Sequence, residues 1–125
     1  MPLIEINALP PRSEGAAARA VKNAACELAK VFGMPPGKIR AVFVELKPGH
    51  YAEGADAPES AQLGTHPPFV TITCFEGRPP ELVEKAIRTV AENVCRDLGL
   101  SPGNAFVTYN AVAKGRLFVN GDMKT

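Results

Sequence analysis

The sequence has no tryptophan, few aromatic residues of any kind, and no surplus of either charge. Fourteen lysines and arginines face thirteen aspartates and glutamates, so the net charge is +1. That balance excludes the electrostatic footprint expected of a nucleic-acid or anionic-membrane partner. No apolar run is long enough for a membrane span, and no signal segment precedes Pro2. We therefore expect a cytoplasmic protein with no nucleic-acid or membrane partner.

Cysteine and histidine are also scarce. Cys26, Cys74 and Cys95 are odd in number, and no pair of them has metal-ligand spacing with either histidine. We expect no metal site and no cofactor. Cys26 and Cys95 fall within apolar helical patterns, which predicts that each is a buried thiol packing as a small hydrophobe.

What the sequence does contain is a strand–helix–strand pattern in its first fifty residues. A strand is predicted from Leu3 to Leu9, and the following prolines end it. Ser13 is the predicted N-cap of a helix that Gly33 closes. Apolar residues recur at helical spacing between them, at Ala17, Val21, Ala24, Leu28 and Phe32. The β-branched run Ile39–Leu46 is predicted to be a buried strand.

The second half repeats the first at an offset of 66 residues. The correspondence has no gap and preserves both the chain breakers and the apolar phase: Pro2 falls on Pro68, Arg12 on Arg78, Gly33 on Gly99, and the helical stripe on Val83, Ile87, Val90, Val94 and Leu98. The second helix is predicted to begin at Pro79-Pro80 with Glu81 in its first turn, and a strand is predicted over Ala105–Val112. The pattern indicates duplication, with repeats 2–51 and 68–117 joined by a linker over 52–67.

Two such repeats predict an α+β fold. Each β-α-β unit is too small to cover its own sheet, whereas two units can form one four-stranded sheet with both helices on one face. The opposite face would remain uncovered although the strands are apolar. We therefore expect a symmetric assembly, most simply a homotrimer.

The stretch Met1–Ile6 suggests where the chemistry lies. Pro2 is small enough for the initiator methionine to be removed, which would leave proline as the first residue. An N-terminal proline nitrogen is a secondary amine that can carry a proton, whereas an internal one is an inert amide. The alternative is that Pro2 has no chemical role and simply begins an edge strand.

These residues resemble the tautomerase superfamily, and within it the oxalocrotonate tautomerase group. The resemblance rests on the opening Pro2–Ile6, on Arg12 before the first helix, on Arg40 in the second strand and on Gly49–Tyr51 after it. In that family a short β-α-β subunit forms hexamers, and some members fuse two units into a chain that forms trimers. The resemblance covers the whole chain because the second half repeats it.

The resemblance implies a role for each matching residue. Pro2 takes the place of the general base, whereas Pro68 is internal and cannot. Arg12 and Arg78 take the place of a carboxylate-binding arginine, and Arg40 that of the arginine that polarises the substrate's carbonyl or carboxylate. Which of these arginines converge on Pro2, and from which chain, stays open.

Two further residues are candidates for the pocket wall. Tyr51 takes the place of an aromatic residue, usually phenylalanine in the family, and Leu9 is an apolar residue that would help to keep the amine dry. The second half departs from the pattern, because Phe106 stands at the position of Arg40 and Leu117 at that of Tyr51.

Each candidate also has a structural interpretation. Arg12 and Arg78 can be surface charges, although a cation at a helix start is unfavourable. Arg40 lies in an apolar strand, where an unpaired charge is costly, so it indicates a ligand contact or an inter-chain salt bridge. Tyr51 can simply pack at a turn.

The resemblance implies a cofactor-independent keto–enol tautomerase acting on an unsaturated 2-hydroxy or 2-keto carboxylic acid, hydroxymuconate-like or phenylenolpyruvate-like. A haloacrylate dehalogenase or hydratase, or a semialdehyde decarboxylase, is the alternative on the same scaffold. It would need a carboxylate to activate water, and Glu53 is the candidate. A non-catalytic, ring-forming interaction protein is the third possibility.

Overall fold

The computed structural model describes residues 1–125 and contains the strand–helix–strand pattern twice. The elements of the two units are β1 (Leu3–Ala8), α1 (Ala16–Phe32), β2 (Arg40–Glu45), β3 (Phe69–Phe75), α2 (Pro80–Asp97) and β4 (Phe106–Val112). A single 3-10 turn, Pro36–Lys38, precedes β2, and a short hairpin of β5 (Phe118–Val119) and β6 (Asp122–Met123) follows β4. That hairpin was not predicted.

The four long strands form one sheet in the order β2-β1-β3-β4. β1 pairs in parallel with β2, β3 pairs in parallel with β4, and the central pair β1–β3 is antiparallel. Glu5 lies opposite Thr71, its own counterpart in the repeat, so the two units are related by a pseudo-two-fold axis through the middle of the sheet. The start of β1 and the start of β3 therefore lie at opposite ends of the sheet.

Both helices pack on the same face of this sheet, which confirms the predicted α+β fold. Alternate residues of β1 and β3 are buried beneath them: Ile4, Ile6, Ala8, Val70, Ile72 and Cys74. The helices contribute small and branched residues to the same core: Ala20, Ala24, Leu28, Ala86, Val90 and Val94. Each fully buried branched side chain stabilises the fold by about 1.5–3 kcal/mol.

The opposite face of the sheet is uncovered in the single chain. Val42, Val44, Phe69 and Phe106 on this face expose between 39% and 55% of their surface. The prediction of a buried strand over 39–46 was therefore wrong for the chain alone, since β2 is a half-exposed edge strand. An edge strand has one neighbour only, and here one of its faces has nothing packed on it.

The helix termini match the predictions in part. Gly33 closes α1 in the left-handed conformation with φ 65°, and α2 begins at Pro79-Pro80 with Glu81 in its first turn, as predicted. The prediction of Ser13 as N-cap was wrong. α1 begins two residues later, because Gly15 adopts φ 77° and the carbonyl of Ser13 accepts the Ala16 N–H at 3.4 Å.

The structure confirms the burial predicted for one of the two helical cysteines but not for the other. Cys95 is buried as predicted, whereas Cys26 is exposed, so that prediction was wrong. Cys26 lies on α1 between the buried positions Ala24 and Leu28, on the side of the helix that turns away from the sheet. The apolar pattern of α1 is rich in alanine, which made the boundary of its buried face hard to assign.

The segment between the two units is fastened by specific contacts. His66 is buried, and its backbone N–H donates to Glu53 Oε2 at 2.6 Å. The Asn104 side-chain amide donates to the carbonyls of Leu63 and Thr65 at 2.9 and 3.0 Å.

Neither helix of the protein combines the length and the apolarity required to cross a membrane.

Candidate active site

A small cavity of about 180 Å³ lies at the end of the sheet where β1 begins. Pro2 is fully buried beside it. The cavity is lined by residues from four segments of the chain: Met1, Pro2, Leu3, Arg40, Thr73, Cys74, Leu117, Phe118 and Val119. Pro2 therefore lies in an enclosed, mostly apolar environment.

Strand pairing brings these segments together. Leu3 pairs with Thr73 in the antiparallel β1–β3 ladder, which sets the start of β1 beside the end of β3. Leu3 also pairs with Arg40 in the parallel β1–β2 ladder, and the Arg40 N–H donates to the Pro2 carbonyl at 3.0 Å. Arg40 is thus fixed next to Pro2 by the backbone, and its guanidinium contacts Met1 Sδ.

Arg78 lies at the same end of the sheet, in the turn between β3 and α2. Its guanidinium sits 3.9 Å from the ring centroid of Phe32, and it donates to the Phe75 carbonyl at 3.4 Å. No carboxylate lies within ion-pair distance of either Arg78 or Arg40. Two guanidiniums without a carboxylate partner, Arg40 in the cavity lining and Arg78 at the same end of the sheet, make this end of the molecule positive.

The pKa of the Met1 amine shows the effect of this positive charge. Its pKa is lowered first by burial, then by the charges of Lys124 and Arg78, and least by Arg40, while Cys74 acts in the opposite direction. Burial and like charge both destabilise an ammonium. An amine at this end of the protein is therefore neutral at a lower pH than an amine in water.

Cys74 and Tyr109 form a pair behind the cavity. The Cys74 thiol donates to Tyr109 Oη at 2.9 Å. Burial, followed by the interaction with Cys74, raises the pKa of Tyr109 to about 12, against the opposing effect of Arg78. Tyr109 is therefore neutral at physiological pH. No sequence pattern singled out this pair, because its members come from different strands.

Three of the predicted site residues, Arg12, Tyr51 and Leu9, lie at the opposite end of the sheet. β1 has six residues, so its two ends are about 20 Å apart. Arg12 is exposed beside a separate open pocket of about 420 Å³ formed with residues 60–65. Within one chain the structure brings Arg40 and Arg78 to Pro2, and it does not bring these three.

Aromatic side chains fill the end of the sheet where Pro68 lies. Tyr51 Oη donates to the Pro67 carbonyl at 2.7 Å, and the Tyr51 ring lies 5.0 Å from that of Phe69. Phe69 in turn packs edge-to-face against Phe106 at 5.6 Å. Leu9 packs against Tyr51 in a small core cluster. At the equivalent positions, this end has the amide nitrogen of Pro68 and the ring of Phe106, whereas the other end has Pro2 and Arg40.

Comparison with solved structures identifies this architecture. The crystal structure of Pt0534 inactivated by 2-oxo-3-pentynoate superposes with a TM-score of 0.84 at 17% identity, covering 98% of this chain and 94% of that one. A fused 4-OT that forms an asymmetric trimer superposes with a TM-score of 0.83 at 15% identity, covering 97% and 94%. This chain has the fused 4-OT fold.

A third solved structure is also similar to this chain. FG41 malonate semialdehyde decarboxylase, inhibited by 3-bromopropiolate, superposes with a TM-score of 0.73 at 16% identity, covering 94% of this chain and 88% of that one. No protein-family model and no curated protein sequence matches the chain. The fold that the resemblance to the tautomerase superfamily implied is confirmed, and these low identities establish the fold alone.

Within this fused 4-OT fold, the C-terminal hairpin contributes to the Pro2 cavity, which was not predicted from the sequence. Leu117, Phe118 and Val119 form one wall of the Pro2 cavity. The signal was present, since Asn120 and Gly121 separate two short apolar stretches and both adopt positive φ in the turn. Asn-Gly between such stretches is the strongest short-range hairpin signal.

No group of three histidine, cysteine or acidic side chains in the chain could hold a metal ion.

Proposed function

We propose that the protein is a cofactor-independent keto–enol tautomerase, an isomerase in which the Pro2 amine is the general base. The substrate is an unsaturated 2-hydroxy or 2-keto carboxylic acid, hydroxymuconate-like or phenylenolpyruvate-like. The observation that carries this proposal is a buried Pro2 beside a cavity, flanked by Arg40 and Arg78, neither of which has a carboxylate partner. The proposal requires removal of Met1, which otherwise acylates the nitrogen.

A neutral amine is the first requirement of the mechanism. A free α-amine in water titrates near pH ~8, and a secondary amine is more basic, so it would be protonated and unable to act as a base. Burial at the head of β1, with the charges of Lys124, Arg78 and Arg40 nearby, lowers the pKa of such an amine. The same groups already lower the pKa of the Met1 amine, and the Pro2 nitrogen lies one residue deeper.

The guanidiniums supply the second requirement. A guanidinium holds a planar carboxylate with two parallel hydrogen bonds, and that grip orients the 2-hydroxyl towards the base. The amine takes the hydroxyl proton and returns it to carbon, so one O–H bond breaks and one C–H bond forms. Negative charge that develops on the oxygen is stabilised by ~3 kcal/mol for each well-placed donor.

We further propose that the protein assembles as a homotrimer in the cytoplasm. The uncovered apolar face of the sheet favours assembly, and fused 4-OT proteins of this fold form trimers. In such an assembly Arg12, Tyr51 and Leu9 can act at a Pro2 site only from a neighbouring copy, since in their own chain they lie at the opposite end of β1.

The alternative reactions remain candidates on this scaffold, and one of the solved relatives is a decarboxylase. Hydration or dehalogenation requires a group that activates water. The lining of the Pro2 cavity includes no aspartate or glutamate, and Glu53 accepts a hydrogen bond from His66 at the far end of the sheet. Within one chain these observations favour tautomerisation, and in an assembly Glu53, like Tyr51, can reach a Pro2 site only from a neighbouring copy.

The decisive experiment follows enol-to-keto conversion by ultraviolet absorbance, with intact mass confirming loss of Met1. We expect Pro2→Ala to lower kcat/KM by about 10²–10³-fold, because it replaces the secondary amine of the base. Pro68→Ala is the matched control, since Pro68 is the equivalent residue in the repeat and should leave the rate within threefold.

Equal rates for Pro2→Ala and the wild type would refute Pro2 as the base. Halide release from a haloacrylate without enol conversion would favour the dehalogenase, and loss of carbon dioxide from a semialdehyde would favour the decarboxylase. Absence of every activity and of ligand binding would favour the interaction protein.

A further inference from the structure

The C-terminal hairpin gives the Pro2 cavity an apolar wall. Leu117 and Val119 both line the cavity and are half-buried, whereas Phe118 between them exposes 67% of its surface. Because side chains alternate along a strand, Leu117 and Val119 face the same side of the hairpin. They therefore form one continuous aliphatic surface beside Pro2.

The other end of the sheet has a different surface at the equivalent position. The pairing of Val119 with Asp122 in the hairpin corresponds, at the offset of the repeat, to the isolated bridge between Glu53 and Asp56. Glu53 thus stands in the first unit where Val119 stands in the second. The aliphatic wall belongs only to the end of the molecule that carries Pro2.

The end of β3 fixes the position of the hairpin. Glu76 Oε1 accepts the Lys114 N–H at 3.1 Å, and the Glu76 N–H donates to the Val112 carbonyl at 2.9 Å. The hairpin is closed by the Lys124 N–H, which donates to the Leu117 carbonyl at 2.8 Å. The wall is therefore held by hydrogen bonds on both sides and is a built part of the cavity.

The cavity lining contains one cation, Arg40, and no carboxylate. In the proposed function Arg40 and Arg78 bind the carboxylate next to the reacting carbon and the developing enolate. Lys124 is exposed and lies outside the lining. The rest of the lining offers carbon, one hydroxyl and the Cys74 thiol, which donates to Tyr109. A second carboxylate placed there would lose its water without gaining a charged partner, which is unfavourable.

The Met1 side chain indicates that this space accepts an unbranched apolar chain. Met1 is part of the lining, and its thioether contacts the Arg40 guanidinium. Removal of Met1, which the proposed function requires, adds the space of this chain to the cavity of about 180 Å³. The added space lies beside Arg40, where the carboxylate of a substrate would bind.

We propose that Leu117 and Val119 are specificity-determining residues that bind the apolar tail of the substrate. The Pro2 site then takes a 2-hydroxy or 2-keto monocarboxylate with an apolar tail, phenylenolpyruvate-like, in preference to a hydroxymuconate-like dicarboxylate. This inference rests on the proposed function and selects between its two substrate classes. The preference arises because the tail leaves water for an apolar wall, a gain that is proportional to the apolar area buried.

The kinetic test compares phenylenolpyruvate with 2-hydroxymuconate. We expect the wild type to have a kcat/KM about tenfold or more higher for the monoacid. Leu117→Ala should raise KM for the monoacid about tenfold with kcat changed less than about threefold, because the tail loses its contact, and should leave KM for the dicarboxylate unchanged. Val119→Lys should reverse the preference, since its ammonium would give the second carboxylate a partner.

Met123 provides the matched control on the same hairpin. It pairs with Phe118, is exposed and does not line the cavity. Met123→Ala and Met123→Lys change size and charge outside the cavity, and they should leave both KM values within about twofold of the wild type.

Three kinetic results would overturn the proposal. The first is a wild type that prefers the dicarboxylate, a measurement that depends on no variant. The second is an equal effect of Leu117→Ala on both substrates, which would indicate a general disturbance of the hairpin. The third is a reversal of preference by Met123→Lys, which would show that net charge alone sets the preference.

A binding measurement separates this proposal from the proposed function. Calorimetric titration of the protein without Met1 with hexanoate and with adipate compares acids of equal length and needs no turnover. We expect hexanoate to bind the wild type about tenfold tighter than adipate does, and Leu117→Ala to lose most of that difference. If the wild type shows the difference but converts no enol, the tautomerase proposal fails and the apolar subsite stands. If it converts enols but binds adipate at least as tightly as hexanoate, the apolar subsite fails and the tautomerase proposal stands.

Discussion

Arg12 and Arg78 occupy equivalent positions in the two repeats but have different surroundings. Arg78 is half-buried, packs on the Phe32 ring and lies close enough to lower the pKa of the Met1 amine. Arg12 is exposed at the far end of the sheet. The pseudo-two-fold axis exchanges the ends, so of these two arginines the one at the Pro2 end, Arg78, comes from the other repeat.

This difference predicts unequal effects of two otherwise identical substitutions. Arg78→Ala should lower kcat/KM for an enol acid about 10²-fold, because a donor to the carboxylate or the developing enolate is lost. Arg12→Ala, its matched control, should cost less than tenfold. Steady-state kinetics on both variants tests this, and an equal or larger loss for Arg12→Ala would mean that a neighbouring copy supplies the essential arginine.

At the scale of elements, the Cys74–Tyr109 hydrogen bond ties β3 to β4 on the helix side of the sheet. Tyr109 is opposite Ile72, so the bond runs diagonally across the two strands. Ordinary tyrosine titrates at pH 10.0, and burial beside Cys74 raises the pKa of Tyr109 to about 12. The neutral phenol is therefore the form that the folded state favours.

A pH dependence of stability follows from that shift. The folded-state pKa lies above the unfolded value, so the stabilisation is fully present below pH 10.0 and is lost as the pH rises towards about 12. Urea unfolding between pH 9 and 11.5 should show a steeper fall in the free energy of unfolding for the wild type than for Tyr109→Phe. Parallel curves for the two proteins would contradict this assignment.

The whole molecule leaves one face of its sheet without a covering layer. The apolar residues exposed there, Val42, Val44, Phe69 and Phe106, lie on the two edge strands β2 and β4 and on the inner strand β3. Exposed apolar area of this kind marks an interaction surface. The homotrimer proposed above would cover this face with further copies of the chain.

Assembly through this face predicts that a charge placed on it should dissociate the oligomer. Val44→Lys should convert a trimer into monomers, because a buried, unpaired ammonium is costly at an interface. Sedimentation velocity measures the mass directly. Ala18→Lys, at an exposed position of α1 on the other side of the molecule, is the control and should leave the mass unchanged. A Val44→Lys protein of unchanged mass would show that the copies associate elsewhere.

The sequence by itself determined the duplication, the four strands of the sheet and both helices. It did so because periodicity, chain breakers and an ungapped repeat are local signals that tertiary contacts did not override. The sequence did not determine where α1 begins or that Cys26 is exposed, since both depend on how an alanine-rich helix packs on the sheet.

Only the tertiary structure decided which candidates share a site. The antiparallel pairing of β1 with β3 carries Arg78 to Pro2 and sends Arg12, Tyr51 and Leu9 to the other end. The same packing places the C-terminal hairpin against the cavity, where Leu117, Phe118 and Val119 form one wall. Strand pairing joins residues some seventy positions apart, and no local pattern contains the direction in which two strands run.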